Sequence, residues 1–166
     1  MDIHQDHEYA HSTDDVFALF TDSNAIKAKQ KALGARKIRI EECSTDAEGA
    51  VVRFVRELPA EVPGILSKFL LPWNTVEQSE QWWCCTDDVY QAELAIDIAN
   101  VPVTITGTLE LEPLNNGCVN HVRINIESGI PFIGKTLSEF VAKDCTRLVA
   151  EEFEYISERL ARSTPS

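Results

Sequence analysis

Two charged residues interrupt strand-like apolar faces, and they are the ones placed to do chemistry. In TVEQSEQWWCC (75–85), Val76, Gln78, Glu80 and Trp82 fall on one side of an extended chain and Ser79, Gln81 and Trp83 on the other. If Trp82 points inward, so does Glu80. A carboxyl held in an apolar interior has its pKa raised by desolvation and could act as an acid, a base or an anchor for a ligand. Each side carries one Trp, so alternation leaves open whether Trp82 or Trp83 is the inner one. In AVVRFVREL (50–58), Val52, Phe54, Arg56 and Leu58 alternate with Val51, Arg53, Val55 and Glu57. If the Phe54 side is inner, Arg56 enters the interior near the strand end. An Arg56–Glu80 pair would then be either a polar anchor for a ligand or a structural ion pair, because buried charges need a partner simply to be tolerated. Tyr90 could offer a hydroxyl inside, or pack its ring and let the hydroxyl reach the rim.

Other chemistries lack their residues. His4, His7 and His11 would share a helix face, but their segment is strand-like, which turns His4 away from the other two. Zinc sites use three or four convergent ligands, so no metal is expected. His121 alternates with apolar residues and reads as a wet-face residue. There is no GxSxG, no phosphate-cradling glycine loop and no dinucleotide fingerprint, and no cofactor is expected. The five cysteines show no CxxC spacing. Cys84 and Cys85 read as two thiols on opposite sides of a strand, and the whole as a cytoplasmic protein with reduced thiols. A formal net charge of −12 disfavours nucleic acid and anionic lipid as partners. No run of 18 apolar residues exists, so no stable membrane insertion is expected.

The elements that must position these residues follow from periodicity. A strand is expected over His4–His11. Ser12 then opens a helix with an acid, Asp15, at the capping-box position. Ser23 reads as the N-cap of a second short helix stopped at Gly34, with Lys27, Lys29 and Lys31 on its solvated side. Six further strands are expected at 36–43, 50–58, 75–85, 89–98, 101–112 and 119–127, with short turns that favour an antiparallel meander. From Lys135 to Arg162 apolar residues recur every three or four positions, which is an amphipathic helix. The 166 residues suggest one domain, with 163–166 fraying at the end.

One helix about 10 Å wide cannot cover six or seven strands spaced about 4.8 Å apart. The sheet must curl around it, and the room left beside the helix is filled by side chains or by a ligand. This order of elements, an α+β helix grip, resembles the START-like superfamily of pollen-allergen-type and polyketide-cyclase-type proteins, and more narrowly a bacterial family of unknown function within it. The resemblance rests on His11-Ser12-Thr13-Asp14-Asp15-Val16-Phe17, on Ser79-Glu80-Gln81-Trp82 and on Gly129-Ile130-Pro131-Phe132-Ile133-Gly134-Lys135, and covers nearly the whole chain. It implies the fold more firmly than any activity, since that superfamily holds carriers, receptors and cyclases.

The greasy stretch VPGILSKFLLPW (62–73) then reads as one or two helical turns across the cavity mouth, either a lid with an apolar underside or a fixed packing element. The expected function is binding or transport of a hydrophobic or amphipathic small molecule: a lipid, isoprenoid, sterol or polyketide-like compound. Phe54, Phe69, Trp82, Tyr90, Leu109, Leu137 and Phe140 are the expected lining, with Arg56 and Glu80 as polar contacts. The alternatives are a cyclase, dehydratase or isomerase with Glu80 as general base and Tyr90 as donor, and a protein-interaction module with a filled core.

Overall fold

The computed structural model describes residues 1–163. Of the tail expected to fray, only Ser163 is described, and it closes the last helix. The elements are β1 (Asp2–Tyr9), α1 (Thr13–Thr21), α2 (Ser23–Ala32), β2 (Arg36–Thr45), β3 (Gly49–Pro59), β4 (Trp73–Cys84), β5 (Tyr90–Ile98), β6 (Thr104–Leu114), β7 (Gly117–Glu127) and α3 (Gly134–Ser163). The strands form one antiparallel sheet in the order β1-β7-β6-β5-β4-β3-β2, curled around α3. The meander β2 to β7 follows the chain, and β1 closes it by pairing with β7.

The element boundaries shift where caps and prolines decide them. β1 ends at Tyr9, two residues before His11, because Ser12 already caps α1: its Oγ accepts from the Asp15 N–H at 3.2 Å. Asp22, not Ser23, caps α2, with Oδ2 accepting from the Ala25 N–H at 2.8 Å. The same residue ends α1, so the joint between the helices is one residue long and Ser23 is drawn inside α2. Gly34 stops α2 at φ +93°, a conformation that only glycine takes without strain. β6 begins at Thr104 rather than 101. Asn100 turns at φ +64° and Pro102 has no N–H for a ladder; its carbonyl accepts from Ser128 Oγ instead.

The inner face is set by strict alternation. Trp82 is 2 % exposed and Trp83 38 %, which answers the question the sequence left open: the Glu80–Trp82 side faces inward. Val16, Phe17 and Phe20 of α1 pack with Trp82, while Ile26 of α2 sits on Val52 and Phe54 near the sheet edge. Along α3, Leu137 and Val141 near one end and Ile156 and Leu160 near the other are buried, whereas Cys145, Leu148 and Val149 between them are half-buried. On the inner face Gly107 is paired with Ile124, and a Cβ there would fall 2.4 Å from the Arg123 carbonyl oxygen. A side chain is excluded there by the close approach of β7.

Segment 62–73 contains a single 3-10 turn, Gly64–Leu66, followed by irregular turns. Its apolar residues divide. Leu66 and Leu70 are buried, while Ile65 and Leu71 project into solvent. Asn74 ties down the return: its Oδ1 accepts from the Leu71 N–H at 2.9 Å and its Nδ2 donates to the Leu71 carbonyl at 2.6 Å.

Candidate functional site

Between the mid-span of α3 and the bent sheet lies a cavity of about 120 Å³. Its walls are mostly aliphatic: Leu94, Ile96, Ile105 and Ile124 from the sheet, Leu148 and Val149 from α3, and Leu70 from the 62–73 segment. One water needs roughly 10–15 Å³ of such space, and an apolar cavity of about 150 Å³ takes up benzene. The room is therefore that of a small organic molecule, not of a stray water.

A polar strip crosses the floor of this cavity. Arg56 Nη2 donates to Gln78 Oε1 at 3.0 Å, and Arg56 Nη1 to the Val76 carbonyl at 3.3 Å. Gln78 Nε2 in turn donates to Glu80 Oε2 at 2.6 Å, and Trp82 Nε1 to Glu80 Oε1 at 2.9 Å. Arg56 and Glu80 thus both line the cavity, but they do not form the direct ion pair considered above; Gln78 stands between them. The register explains it. Arg56 lies opposite Val76 and Val52 opposite Glu80, so the two charges are four residues apart along the ladder, about 13 Å. Gln78 shares the parity of Glu80 and occupies the rung between them, a role legible in the sequence had that rung been counted.

Two further charges stand at the site: Lys29, on the helix side expected to be solvated, and Glu152 of α3. Lys29 is buried, with its Nζ 3.0 Å from Glu152 of α3 and 4.6 Å from the Phe20 ring centroid. Ile26, Lys29 and Gln30 are spaced i, i+3, i+4 and form the inward stripe of α2, so Lys29 is carried in by Ile26.

Burial dominates the electrostatics. It pushes the Glu80 carboxyl above the ordinary carboxylate range against the opposing pull of Lys29 and the Trp82 N–H. It lowers Arg56 to about 10, which leaves the guanidinium protonated at neutral pH. It also raises the Cys145 thiol to about 11, so Cys145 enters the wall as a small apolar group rather than as a thiolate. A measurable consequence follows for Glu80. Because its folded pKa lies above its unfolded one, it favours the folded state most below about pH 4.5. That advantage is lost as pH rises through the folded pKa. The stability of Glu80→Gln relative to wild type is expected to increase over that rise, read by urea denaturation at a series of pH values. A difference that is flat with pH overturns the shift.

The remaining expected lining residues are distributed as follows. Leu109 and Phe140 stand in the cavity wall. Phe54 lies under α2 with Ile26 and Val52. Trp82 closes the space next to Phe17 and Phe20, and Leu137 is fully buried in the core beyond. Phe69 packs half-buried against the core from the 62–73 segment. Tyr90 leaves the interior: its ring stacks on Phe17 at 4.1 Å and its hydroxyl donates to Asp14, on the outside. The general-base alternative needs Tyr90 as its donor.

Among the described residues one cluster has ligand atoms close enough to share a metal ion, Glu110, Glu112 and His121. His121 is already engaged on both ring nitrogens, by Asp6 at 2.7 Å and Glu112 at 3.0 Å. Of the N-terminal histidines, His4 is exposed, while His7 is buried against Phe153 with ring centroids 4.4 Å apart.

The sequence matches the family described as Protein of unknown function (DUF2505) over residues 4–160. The chain belongs to that family. This DUF2505 chain is 27% identical over 93 residues to uncharacterized protein Rv0481c of Mycobacterium tuberculosis, a match covering 55% of this chain and 53% of that protein. It thus spans about half the length of the curated relatives it matches. Its fold is that of TTHA0849 from Thermus thermophilus, with a TM-score of 0.67, 18% identity and coverage of 99% of this chain and 100% of that one. A STAR-related lipid transfer protein fragment from Xanthomonas axonopodis superposes with a TM-score of 0.62 at 12% identity, over 93% of this chain and 85% of the other. Norcoclaurine synthase from Thalictrum flavum gives 0.60 at 17% identity, over 97% and 86%. At these identities the likeness is one of fold: this chain has the helix-grip fold of those structures.

Proposed function

We propose that this DUF2505 chain binds a compact hydrophobic or amphipathic small molecule inside the sheet–helix cavity without transforming it. The observation that carries the reading is a largely aliphatic space of about 120 Å³ between sheet and helix, floored by a strip of buried polar side chains. Apolar burial, worth about 25 cal/mol per Å², supplies affinity, and the polar strip sets orientation. The volume favours a ring-sized or short branched guest over a sterol. Two proteins of the same fold support an internal guest: one is named as a lipid transfer protein, which favours carriage, while norcoclaurine synthase, crystallised with dopamine and hydroxybenzaldehyde, is named for a reaction. A filled interaction module has no use for the space. The enzyme alternative keeps Glu80 at the cavity but loses Tyr90 to Asp14 outside.

Native mass spectrometry of the purified protein tests this, as does titration with small aromatic and branched aliphatic compounds. Wild type is expected to retain or take up one molecule per chain. Val149→Trp, which pushes an indole into the space from α3, is expected to weaken uptake at least about 100-fold while the chain stays folded. Equal uptake by both proteins overturns the cavity as the binding site.

A further inference from the structure

Of the charged groups lining the cavity, two are ion-paired within the protein. Glu152 is paired with Lys29 at 3.0 Å, and Asp144 with Arg147 at 2.6 Å. The two oxygens of Glu80 each accept an N–H, from Gln78 and from Trp82. Arg56 is the one Lys or Arg in the lining, and it has no such pair. It is 6 % exposed, and among the described residues no carboxylate lies within ion-pair distance of it. A guanidinium carries five N–H donors. One reaches the Val76 carbonyl and one the Gln78 amide, while Nε is buried with no acceptor. The Phe54 ring, 4.9 Å from the guanidinium carbon, offsets part of the charge but accepts no conventional hydrogen bond. A buried cation lacking both a counter-ion and a full set of acceptors is costly to a fold.

We propose that the guest is a carboxylic acid with a compact apolar body, bound as the carboxylate on Arg56; this rests on the cavity reading above. A carboxylate oxygen supplies the acceptor that Nε lacks, and its charge supplies the counter-ion. The free Nε–H and the second Nη2 hydrogen match the planar fork by which guanidinium groups hold carboxylates. Arg56 carries one positive charge, so a monoanion matches it, whereas a phosphate dianion would bury further negative charge beside Glu80 and Glu152. Gln78 keeps Glu80 apart from this site. Its amide carbonyl faces Arg56 and its amide nitrogen faces Glu80, so the interior carboxyl is held away from an incoming anion. The aliphatic wall of Leu94, Ile96, Ile105 and Val149 would enclose the hydrocarbon.

Matched probes test the inference: benzoate against benzyl alcohol, and hexanoate against hexan-1-ol, titrated by calorimetry at pH 7 into wild type and Arg56→Met. In wild type each acid is expected to bind at least about 10-fold tighter than its alcohol. In Arg56→Met, which exchanges the guanidinium for an unbranched apolar chain, that preference disappears while the alcohols keep their affinity. If the alcohols bind wild type as tightly as the acids, the anion inference is overturned and the cavity reading stands. If all four probes fail to bind wild type, both are overturned. The wild-type ratio decides the matter even should the variant fail to fold.

Discussion

Trp82→Ala is expected to destabilise the protein by about 3–5 kcal/mol, the range for truncating a buried aromatic. Trp82 is 2 % exposed, meets Phe17 edge-on at 5.5 Å and lies 5.7 Å from Phe20. The truncation removes the transfer energy of the indole and leaves a hole between α1 and the sheet. It also strips Glu80 of the N–H donor on Oε1, so a buried carboxyl loses half of its hydrogen bonding. Two companions separate the contributions. Trp82→Phe keeps most of the packing and loses the N–H, at about 1–2 kcal/mol. Trp83→Ala, on the wet side of the same strand, is expected within about 0.5 kcal/mol of wild type. Urea midpoints at constant m-value measure all three. A Trp82→Ala cost below about 1 kcal/mol would show that the wedge between α1 and the sheet contributes little.

Gly107→Ala is expected to cost about 1–3 kcal/mol, opposite in sign to the usual gain from replacing glycine in a strand. The ordinary gain comes from restricting the unfolded chain. Here the added methyl meets the Arg123 carbonyl at 2.4 Å and Ile124 at 3.2 Å, and backbone cannot rotate aside as a side chain would. β6 and β7 would have to separate between Ile105 and Leu109, which line the cavity. Gly129→Ala is the control, since no atom lies within 4 Å of its Cβ, and it is expected near neutral. A stabilised or unchanged Gly107→Ala, measured by urea unfolding, would show that the two strands relax without loss.

The arrangement of elements was largely legible because two periods dominate the chain. Alternation in 89–98 and 119–127 placed β5 and β7 within about two residues, and the three-to-four spacing after Lys135 gave α3. Boundaries failed where a single residue served two elements, as Asp22 does, or where Pro102 withheld an N–H. The site was half legible. Alternation put Arg56 and Glu80 on inner faces without giving their register, because cross-strand pairing depends on turn geometry that local pattern does not encode. So the direct pair was considered where Gln78 intervenes. Tyr90 begins β5, where the face closes against α1, and its hydroxyl had Asp14 within reach outside. Lys29 was misread because charge was given more weight than its spacing from Ile26.

The terminal helix resembles a beam resting on two abutments. Leu137 and Val141 hold one end and Ile156 and Leu160 the other, while the half-buried span around Cys145 to Val149 hangs over empty room. Load on such a beam is borne at its supports. A guest pressing on the middle need only bow the rod outward, leaving the anchored ends and the ladder of strands as they were. Accommodation of guests of different bulk is then set by the stiffness of one helix.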